Sequence, residues 1–280
     1  MFRVIENSPL AQGINRLIIS APDVAAKARP GQFVILRVDK QGERIPLTLA
    51  DWEQKNGTIT VIVQQVGLTT TLLCRQKKGS QLAVVLGPLG RPTEIKNYGR
   101  MVFVAGGVGA AEILPVIKGF RNLGNKVSTI LGARSRDLLI LTGELKTLSD
   151  RLVITTDDGT AGQKGLVTDA LRDLILQKEK IDHIYAIGQV VMMEAVSGLA
   201  RMHQIPVTVS LNPIMVDGTG LCGACRVKVA GRTLFACVDG PEFSGWDVDW
   251  PELRTRLNLF WKEEQLSRSE KHICQRLPKE

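Results

Sequence analysis

Aromatic residues are few: seven Phe, four Trp and two Tyr make up 5% of the chain, beside 36 Lys and Arg. Nucleic-acid surfaces gather basic side chains with aromatic or polar base-readers. Here the basic residues are scattered, without a basic run, recognition helix or zinc-finger spacing, so the net charge of +8 is not read as a nucleic-acid footprint. Long apolar runs are missing too. The longest, residues 101–117, is broken by three glycines, Glu112 and Pro115, and no segment qualifies as membrane-spanning. The first dozen residues carry Arg3 and Glu6 and lack the apolar centre of a secretion signal. Histidine is limited to three residues, none within the stretch from Cys222 to Cys237. The five cysteines are odd in number, and three of them fall within sixteen residues. A disulfide framework is therefore not expected, and the cluster points to metal binding in a reducing cytoplasm. Cys74 and Cys274 stand alone and are read as structural or incidental.

The 280 residues suggest about two domains. Up to residue 98 the chain alternates short β-branched segments with Pro/Gly turns: Asn15–Ser20, Gln32–Val38 and Thr58–Val63 read as strands of a small antiparallel barrel. A short helix is expected from Thr69–Thr71, carrying Leu72 and Leu73. From residue 99 to 211, strands at Met101–Ala105, Val127–Leu131, Leu152–Thr155, Ile184–Gly188 and Val207–Ser210 alternate with helical stretches. One helix carries Ile113, Leu114, Ile117 and Phe120 on one face; others lie near 164–178 and 190–202. This order implies a doubly wound parallel sheet. Residues 212–245 are rich in Gly and Cys. A tail, 246–280, has Pro251 near a helix start and Leu253, Leu257, Phe260 and Trp261 at helical spacing, and this face is expected to pack on the chain's own core or on a partner. The fold class is α/β with a β-barrel.

The sharpest local signal is Asp217-Gly-Thr-Gly-Leu-Cys222-Gly-Ala-Cys225, with Cys237 after an eleven-residue gap. A plant-type [2Fe–2S] loop follows C-x4-C-x2-C…C. Cys222 and Cys225 supply the x2 pair, and counting back x4 from Cys222 reaches Asp217. An anionic carboxylate has the charge and reach to bind iron, and its hardness would alter the potential. Zinc is a competing reading, although structural zinc prefers sulfur and nitrogen ligands. Free buried thiols are another.

Three strand-to-loop junctions have the character of nucleotide turns. Gly106-Gly107-Val108-Gly109 follows a strand and opens a helix, where backbone N–H groups and the helix dipole suit a pyrophosphate, although strict G-x-G-x-x-G spacing is not met. Asp157 and Asp158 lie in a polar Gly-rich loop after another strand. Gly188 precedes a helix carrying Met192. Each alone would be an ordinary turn; ligands of open α/β sheets gather at such carboxyl ends. In the barrel, Arg44, Pro46, Leu47 and Thr48 form a segment whose hydroxyl suits the polar edge of a flavin. Gly67, Thr69, Thr70 and Thr71 lie at a helix start suited to the FAD pyrophosphate. Either barrel segment alone would more often be an edge strand or a helix cap.

Taken together, the barrel, Gly-Gly-Val-Gly, Thr155-Thr-Asp-Asp-Gly159, Gly188-x-x-x-Met-Met193 and the Cys loop resemble the ferredoxin–NADP+ reductase superfamily. The closer likeness is to the branch holding the electron-transfer subunit of dihydroorotate dehydrogenase and the small subunit of NADH-dependent ferredoxin–NADP+ oxidoreductase. Asp217 in place of a first cysteine, within Asn212-Pro-Ile-Met-Val-Asp-Gly-Thr-Gly220, and Ala236-Cys-Val-Asp-Gly-Pro-Glu-Phe243 match the second subfamily. The resemblance implies FAD on the barrel, NAD(H) on the sheet (NADP(H) left open by Arg134, Ser135 and Arg136), and a [2Fe–2S] cluster on Asp217, Cys222, Cys225 and Cys237. It also implies a larger flavoprotein subunit carrying FAD and [4Fe–4S] clusters, with ferredoxin served indirectly by electron bifurcation. The positive charge would then suit phosphate-rich cofactors or an acidic electron carrier. Three departures stand out. Glu112 replaces a usual Pro, Gln189 replaces the Pro of a usual Gly-Pro, and the family's flavin Arg position falls on Ile45. They motivate an alternative, a relay and docking subunit without a working nicotinamide site. A zinc-stabilised binding module without redox function is a third reading.

Overall fold

The computed structural model describes residues 2–267; Cys274 and the end of the expected tail lie outside them. Eight strands build the first unit: β1 (Phe2–Ala11), β2 (Ile14–Ser20), β3 (Phe33–Arg37), β4 (Ile45–Thr48), β5 (Asp51–Glu53), β6 (Thr58–Gln64), β7 (Gln81–Leu82) and β8 (Val84–Leu89). They form two antiparallel sheets, ordered β5-β6-β2-β1-β7 and β4-β3-β8. Alternation explains the inner face: Ile59, Val61 and Val63 of β6 and Leu17 and Ile19 of β2 are fully buried, while their neighbours are not. Helix α1 (Pro22–Ala25) covers one end, and α2 (Leu68–Cys74) packs Leu72, Leu73 and Cys74 into the same core. Cys74 is buried and its thiol pushed up by burial, consistent with packing rather than chemistry. Strand β1, the longest, is missing from the sequence-based expectation because Glu6, Asn7, Ser8 and Pro9 break the alternation that marks a strand.

The second unit follows as β9 (Arg100–Gly106), α3 (Gly109–Asn122), β10 (Lys126–Ala133), α4 (Thr142–Leu148), β11 (Arg151–Thr156), β12 (Gln163–Lys164), α5 (Val167–Leu176), β13 (His183–Ile187), α6 (Val190–Met202) and β14 (Val207–Ser210). The hairpin β15 (Arg226–Val229) and β16 (Arg232–Phe235) comes next, then β17 (Glu242–Ser244). The large sheet runs β12-β11-β10-β9-β13-β14-β17, parallel from β12 to β14, with β17 added antiparallel. Segment 242–244 therefore belongs to the sheet, although the sequence places it at the end of the Cys-rich stretch. Helix α4 was not expected: its N-cap position is Leu141, in a left-handed conformation with no capping side chain, so no start signal exists to read.

One strand ties the units together. Val34 and Leu36 of β3 face the barrel core, while Phe33 and Ile35 join the core shared by the parallel sheet and residues 211–257. After β17, α7 (Trp250–Leu257) buries Trp250 and Leu253 in that core. In α8 (Trp261–Ser267) and the turn before it, Leu259, Phe260, Trp261 and Leu266 are exposed. The apolar stripe expected from sequence is thus half used: packing stops near Leu257, where the chain leaves the sheet.

Candidate functional site

Chain order reverses between β9 and β13. Strand β9 continues outward to β10, and the chain returns to the other side of β9 as β13. Such a switch opens a crevice at the carboxyl ends of the strands, and there Gly106 and Gly188 face each other. A Cβ on Gly188 would lie 3.2 Å from Gly106 N and 2.9 Å from Met192 Cε. The φ of +155° at Gly188 also disfavours any side chain. Met192 thus fills the floor between the two turns, with its sulfur 2.8 Å from where a Gly106 Cβ would stand. Gly109 opens α3 against the Ile187 carbonyl, and Gly107 N donates to Gly132 O at 2.9 Å. Gly106, Gly107, Gly109, Gly188 and Met192, read separately from the sequence, are therefore one surface.

Asp157 and Asp158 are exposed on the same sheet edge after β11. Their amides donate to the carbonyls of Ala133 and Arg134. Asp158 accepts from the hydroxyl and amide of Thr160, which hold its carboxyl below the usual range. Ser135, Arg136, Asp137, Asp158 and Thr160 line a pocket of about 340 Å³. Arg136 thus shares its pocket with two carboxylates.

Across the crevice is the barrel. Thr48 ends β4 opposite Phe33 of β3, with Pro46 and Leu47 half-buried before it and Arg44 exposed. The hydroxyls of α2 do not all point outward as the sequence suggests. Thr70 Oγ1 accepts from Gly67 N and Val66 N at 3.0 Å, Thr71 Oγ1 donates to Gly67 O at 2.8 Å, and Thr69 Oγ1 donates to Glu43 Oε2 at 3.2 Å. Hydroxyls at a helix start satisfy its orphan amides and carbonyls first, and here they occupy the amides of Val66 and Gly67 and the Gly67 carbonyl.

Glu112, which the sequence sets against a phosphate, lies on the first turn of α3, where burial pushes its carboxyl up to about 7 and Thr48 of the barrel opposes the rise. Nearby, Glu242 Oε1 accepts from Tyr185 Oη at 2.7 Å and from the Thr93 hydroxyl; burial raises both Tyr185 and Glu242 above their ordinary ranges. Sequence reasoning missed Glu242. Only its Gly240-Pro241 setting hinted at a fixed position.

Residues 211–225 contain no helix or strand, and Gly218, Gly220 and Gly223 all have positive φ. A Cβ on Gly218 would strike Leu89 and Ile35 at 2.7 and 2.8 Å, so this loop lies directly on the barrel. Hairpin β15–β16, closed by Ala230 and Gly231 in left-handed conformations, pairs Arg226 with Phe235. That register brings Cys225 beside Cys237: their sulfurs are 3.1 Å apart and buried. Burial and the neighbouring thiol push Cys237 up to about 12, while the Gly220 amide aimed at its sulfur opposes the rise. Two crowded thiols with an amide pointing at sulfur suit a cation that binds them as thiolates.

The four expected ligands are not gathered at one point. Cys222 is exposed. Asp217 spends both oxygens on the loop, accepting from Thr219 N at 2.8 Å and Cys222 N at 3.0 Å, which lowers its pKa. Among the described residues no three His, Cys, Asp or Glu side chains form a ready-made metal site. A carboxylate flanked by free amides caps them, and this accounts for the inward turn of Asp217. The chemistry of the donors nevertheless fits an iron–sulfur centre: two thiols in contact, with the other two candidates on the short loop that covers them.

Comparisons with known proteins agree with this anatomy. Residues 212–249 match the iron-sulfur cluster binding domain of dihydroorotate dehydrogenase B, and residues 103–198 match the oxidoreductase NAD-binding domain. A Thermotoga maritima protein described as a dihydroorotate dehydrogenase B (NAD(+)), electron transfer subunit homolog is 47% identical over 264 residues, 94% of this chain and 93% of its own length. The dihydroorotate dehydrogenase B electron transfer subunit of Desulforamulus reducens is 32% identical, over 82% of this chain and 90% of its own. A chain from the solved structure of NADH-dependent reduced ferredoxin-NADP oxidoreductase, studied for flavin-based electron bifurcation, superimposes with a TM-score of 0.91 at 46% identity, covering 95% of this chain and 96% of that one. Phthalate dioxygenase reductase, 15% identical with a TM-score of 0.55, shares the fold. No helix among the described residues is long and apolar enough to cross a membrane.

Proposed function

The chain belongs to the family of dihydroorotate dehydrogenase B electron-transfer subunits, and from that premise we propose that it serves as the small subunit of an NADH-dependent ferredoxin:NADP+ oxidoreductase. It would exchange electrons between NAD(H), FAD and a [2Fe–2S] cluster, and pass them to or from a larger flavoprotein subunit that holds FAD and [4Fe–4S] clusters and serves ferredoxin. The flavin supplies the conversion between the two-electron chemistry of nicotinamide and the one-electron chemistry of a cluster.

The reading assigns a task to each part. Residues 1–98 hold FAD through the Thr48 end of β4 and the backbone at Gly67–Thr71. Residues 99–211 hold the dinucleotide on Gly106, Gly107, Gly109 and Gly188, with Asp157 and Asp158 at its outer end. A carboxylate on that edge accepts a ribose hydroxyl and repels a 2′-phosphate. Asp137 and Asp158 beside Arg136 therefore favour NADH over NADPH. Residues 212–245 hold the cluster on Asp217, Cys222, Cys225 and Cys237.

The observation that carries the proposal is the buried contact of the Cys225 and Cys237 sulfurs, under a loop seated on the flavin barrel through Gly218. Asp217, where the resemblance gives cysteine to the dihydroorotate branch and aspartate to the small subunit of the bifurcating enzyme, favours the latter. The names of the sequence relatives favour the second reading, an electron-transfer partner of dihydroorotate dehydrogenase. Anaerobic purification from the native source with its bound partner separates the two. The first predicts FAD, two irons and two sulfides on this chain, flavin bleaching by NADH, and NADH formation driven by NADPH only with oxidised ferredoxin present. Dihydroorotate-dependent NAD+ reduction would replace it with the second. A colourless preparation free of iron would remove both.

A further inference from the structure

Neither the dinucleotide turns, nor the flavin segments, nor the cluster ligands make use of Glu242, yet it stands where all three parts meet. It opens β17, the antiparallel strand added to the edge of the parallel sheet, five residues after Cys237. Its Oε1 accepts from two hydroxyls at once. Tyr185 Oη donates at 2.7 Å from β13, three residues before Gly188. Thr93 Oγ1 donates from the segment that joins the barrel to β9. The barrel closes the third side: a Cβ on Gly31 would lie 2.6 Å from the same oxygen, and Thr93 N donates to Pro30 O at 2.9 Å. Two residues earlier, the joining segment grips the cluster stretch again. Arg91 N donates to Gly240 O at 2.7 Å and its Nε to Val238 O at 3.1 Å, while Nη2 meets Asp239 Oδ1 at 3.4 Å. Pro241 O in turn accepts from Leu211 N at 2.9 Å, just past β14. Tyr185 and Thr93 are buried, where an unpaired hydroxyl is costly.

We propose that Glu242 is a positioning residue for flavin reduction: its carboxylate sets the spacing of the dinucleotide sheet against the flavin barrel, with the cluster stretch as its anchor. The proposal rests on the functional reading above, which gives the barrel FAD and the sheet NADH. Elsewhere the barrel and the sheet unit meet in another way. Leu10, Ile14 and Ile62 pack into the same core as Ile113 and Ile117 of α3, and Lys118 reaches Asp51 of β5 at 3.9 Å, both side chains being exposed. Apolar packing is non-directional, so it holds two bodies together without fixing their angle. An exposed ion pair adds little. The hydrogen bonds at Glu242 are directional, and they join the linking segment, β13 and β17 through one oxygen. Hydride transfer needs reacting atoms about 3–3.5 Å apart, and an error of about 1 Å costs about 10²-fold. Tyr185 lies on the strand that leads into Gly188, so its bond to Glu242 sets how the dinucleotide turn stands against the barrel. Arg91 and the Leu211 amide keep the stretch bearing Glu242 from giving way.

The test uses the purified complex of this chain with its larger subunit. NADH, and NADH deuterated at the transferred position, reduce the flavin anaerobically in a stopped-flow cell over a range of concentrations. Glu242→Leu removes the acceptor of both hydroxyls. Its limiting rate of flavin reduction should fall about 10²-fold, with the isotope effect fully expressed and with NADH affinity, FAD and iron content unchanged. Glu242→Gln keeps an oxygen that accepts from both hydroxyls and should restore the rate. Tyr185→Phe and Thr93→Val each remove one hydroxyl and should give intermediate losses. A readout apart from rate is the long-wavelength charge-transfer absorbance of NAD+ against reduced flavin, which should fade in Glu242→Leu and return in Glu242→Gln. A fully loaded Glu242→Leu complex with unchanged rate and absorbance would overturn the proposal. So would a Glu242→Gln complex as slow as Glu242→Leu. If Glu242→Leu fails to fold, wild-type rates and absorbance in both single-hydroxyl variants overturn it instead. Absence of FAD, or of bleaching by NADH, in the wild-type complex strikes the functional reading beneath it.

Discussion

At the carboxyl edge of the parallel sheet the Gly106–Gly109 and Gly188 turns are each held by the strand before and the helix after. Residues 211–225 leave β14 without entering a helix, and position comes from positive-φ glycines, an aspartate folded onto the amides of Thr219 and Cys222, and a hairpin that returns Cys237 to Cys225. The first site is fixed by sheet geometry and tolerates change in its loops. The second is fixed by a few local contacts and depends on each of them. The two should therefore fail differently: damage to the loop should remove its metal and spare the fold, whereas damage at the sheet edge should cost stability as well as binding.

The most severe break is Cys225→Ser or Cys237→Ser. Either should abolish iron and labile sulfide on this chain while FAD content and thermal unfolding change little, as read by metal analysis and flavin absorbance. A large effect on the sheet side is set by pH. His183 begins β13 at the end opposite the crevice, stacked on Tyr98 with ring centroids 4.2 Å apart, and burial pushes it down to about 4. Its folded value lies below the ordinary 6.5, so the unfolded chain binds the extra proton. Stability present above pH 6.5 should fall by ~3 kcal/mol as pH drops toward 4. Denaturant unfolding should show this slope in the wild type and its loss in His183→Gln. Gly188→Ala comes next. With a Cβ 2.9 Å from Met192 and φ at +155°, it should cost about 1–3 kcal/mol and weaken NADH binding about tenfold, measured by unfolding and titration, while iron content stays intact. Asp217→Cys should have the smallest effect on stability. The cluster should be retained with a shifted spectrum and potential, and an unchanged spectrum would remove Asp217 from the ligand set.

The division between the two sites also marks what the sequence made legible. Helix α3 and strands β9, β10, β11, β13 and β14 follow from apolar periodicity, because a sheet buried on both faces leaves long hydrophobic runs. Cys222, Cys225 and Cys237 stand out by spacing alone. The approach of Cys237 to Cys225 was also readable in hindsight, since Ala230-Gly231 between two alternating segments is a hairpin signal. The setting of Glu112 was not legible. Sequence places it beside a phosphate turn, and only the packing of α3 on the barrel shows that its surroundings bury the carboxyl. The fate of the hydroxyls at Thr69–Thr71 was hidden for a similar reason, because capping and ligand binding call for the same residues. Asp217 carries both problems: its spacing marks a ligand, and its surroundings offer amides it can satisfy by itself.

Strand β3, with alternate side chains committed to two different hydrophobic centres, has a consequence for how the protein comes apart. No slip of this strand could free one centre without exposing the other, since a shift of one residue exchanges its two faces. Melting of the barrel should therefore drag the segment bearing Cys225 and Cys237 with it. In a denaturant series, release of the yellow chromophore and decay of the brown one are expected to share a single midpoint.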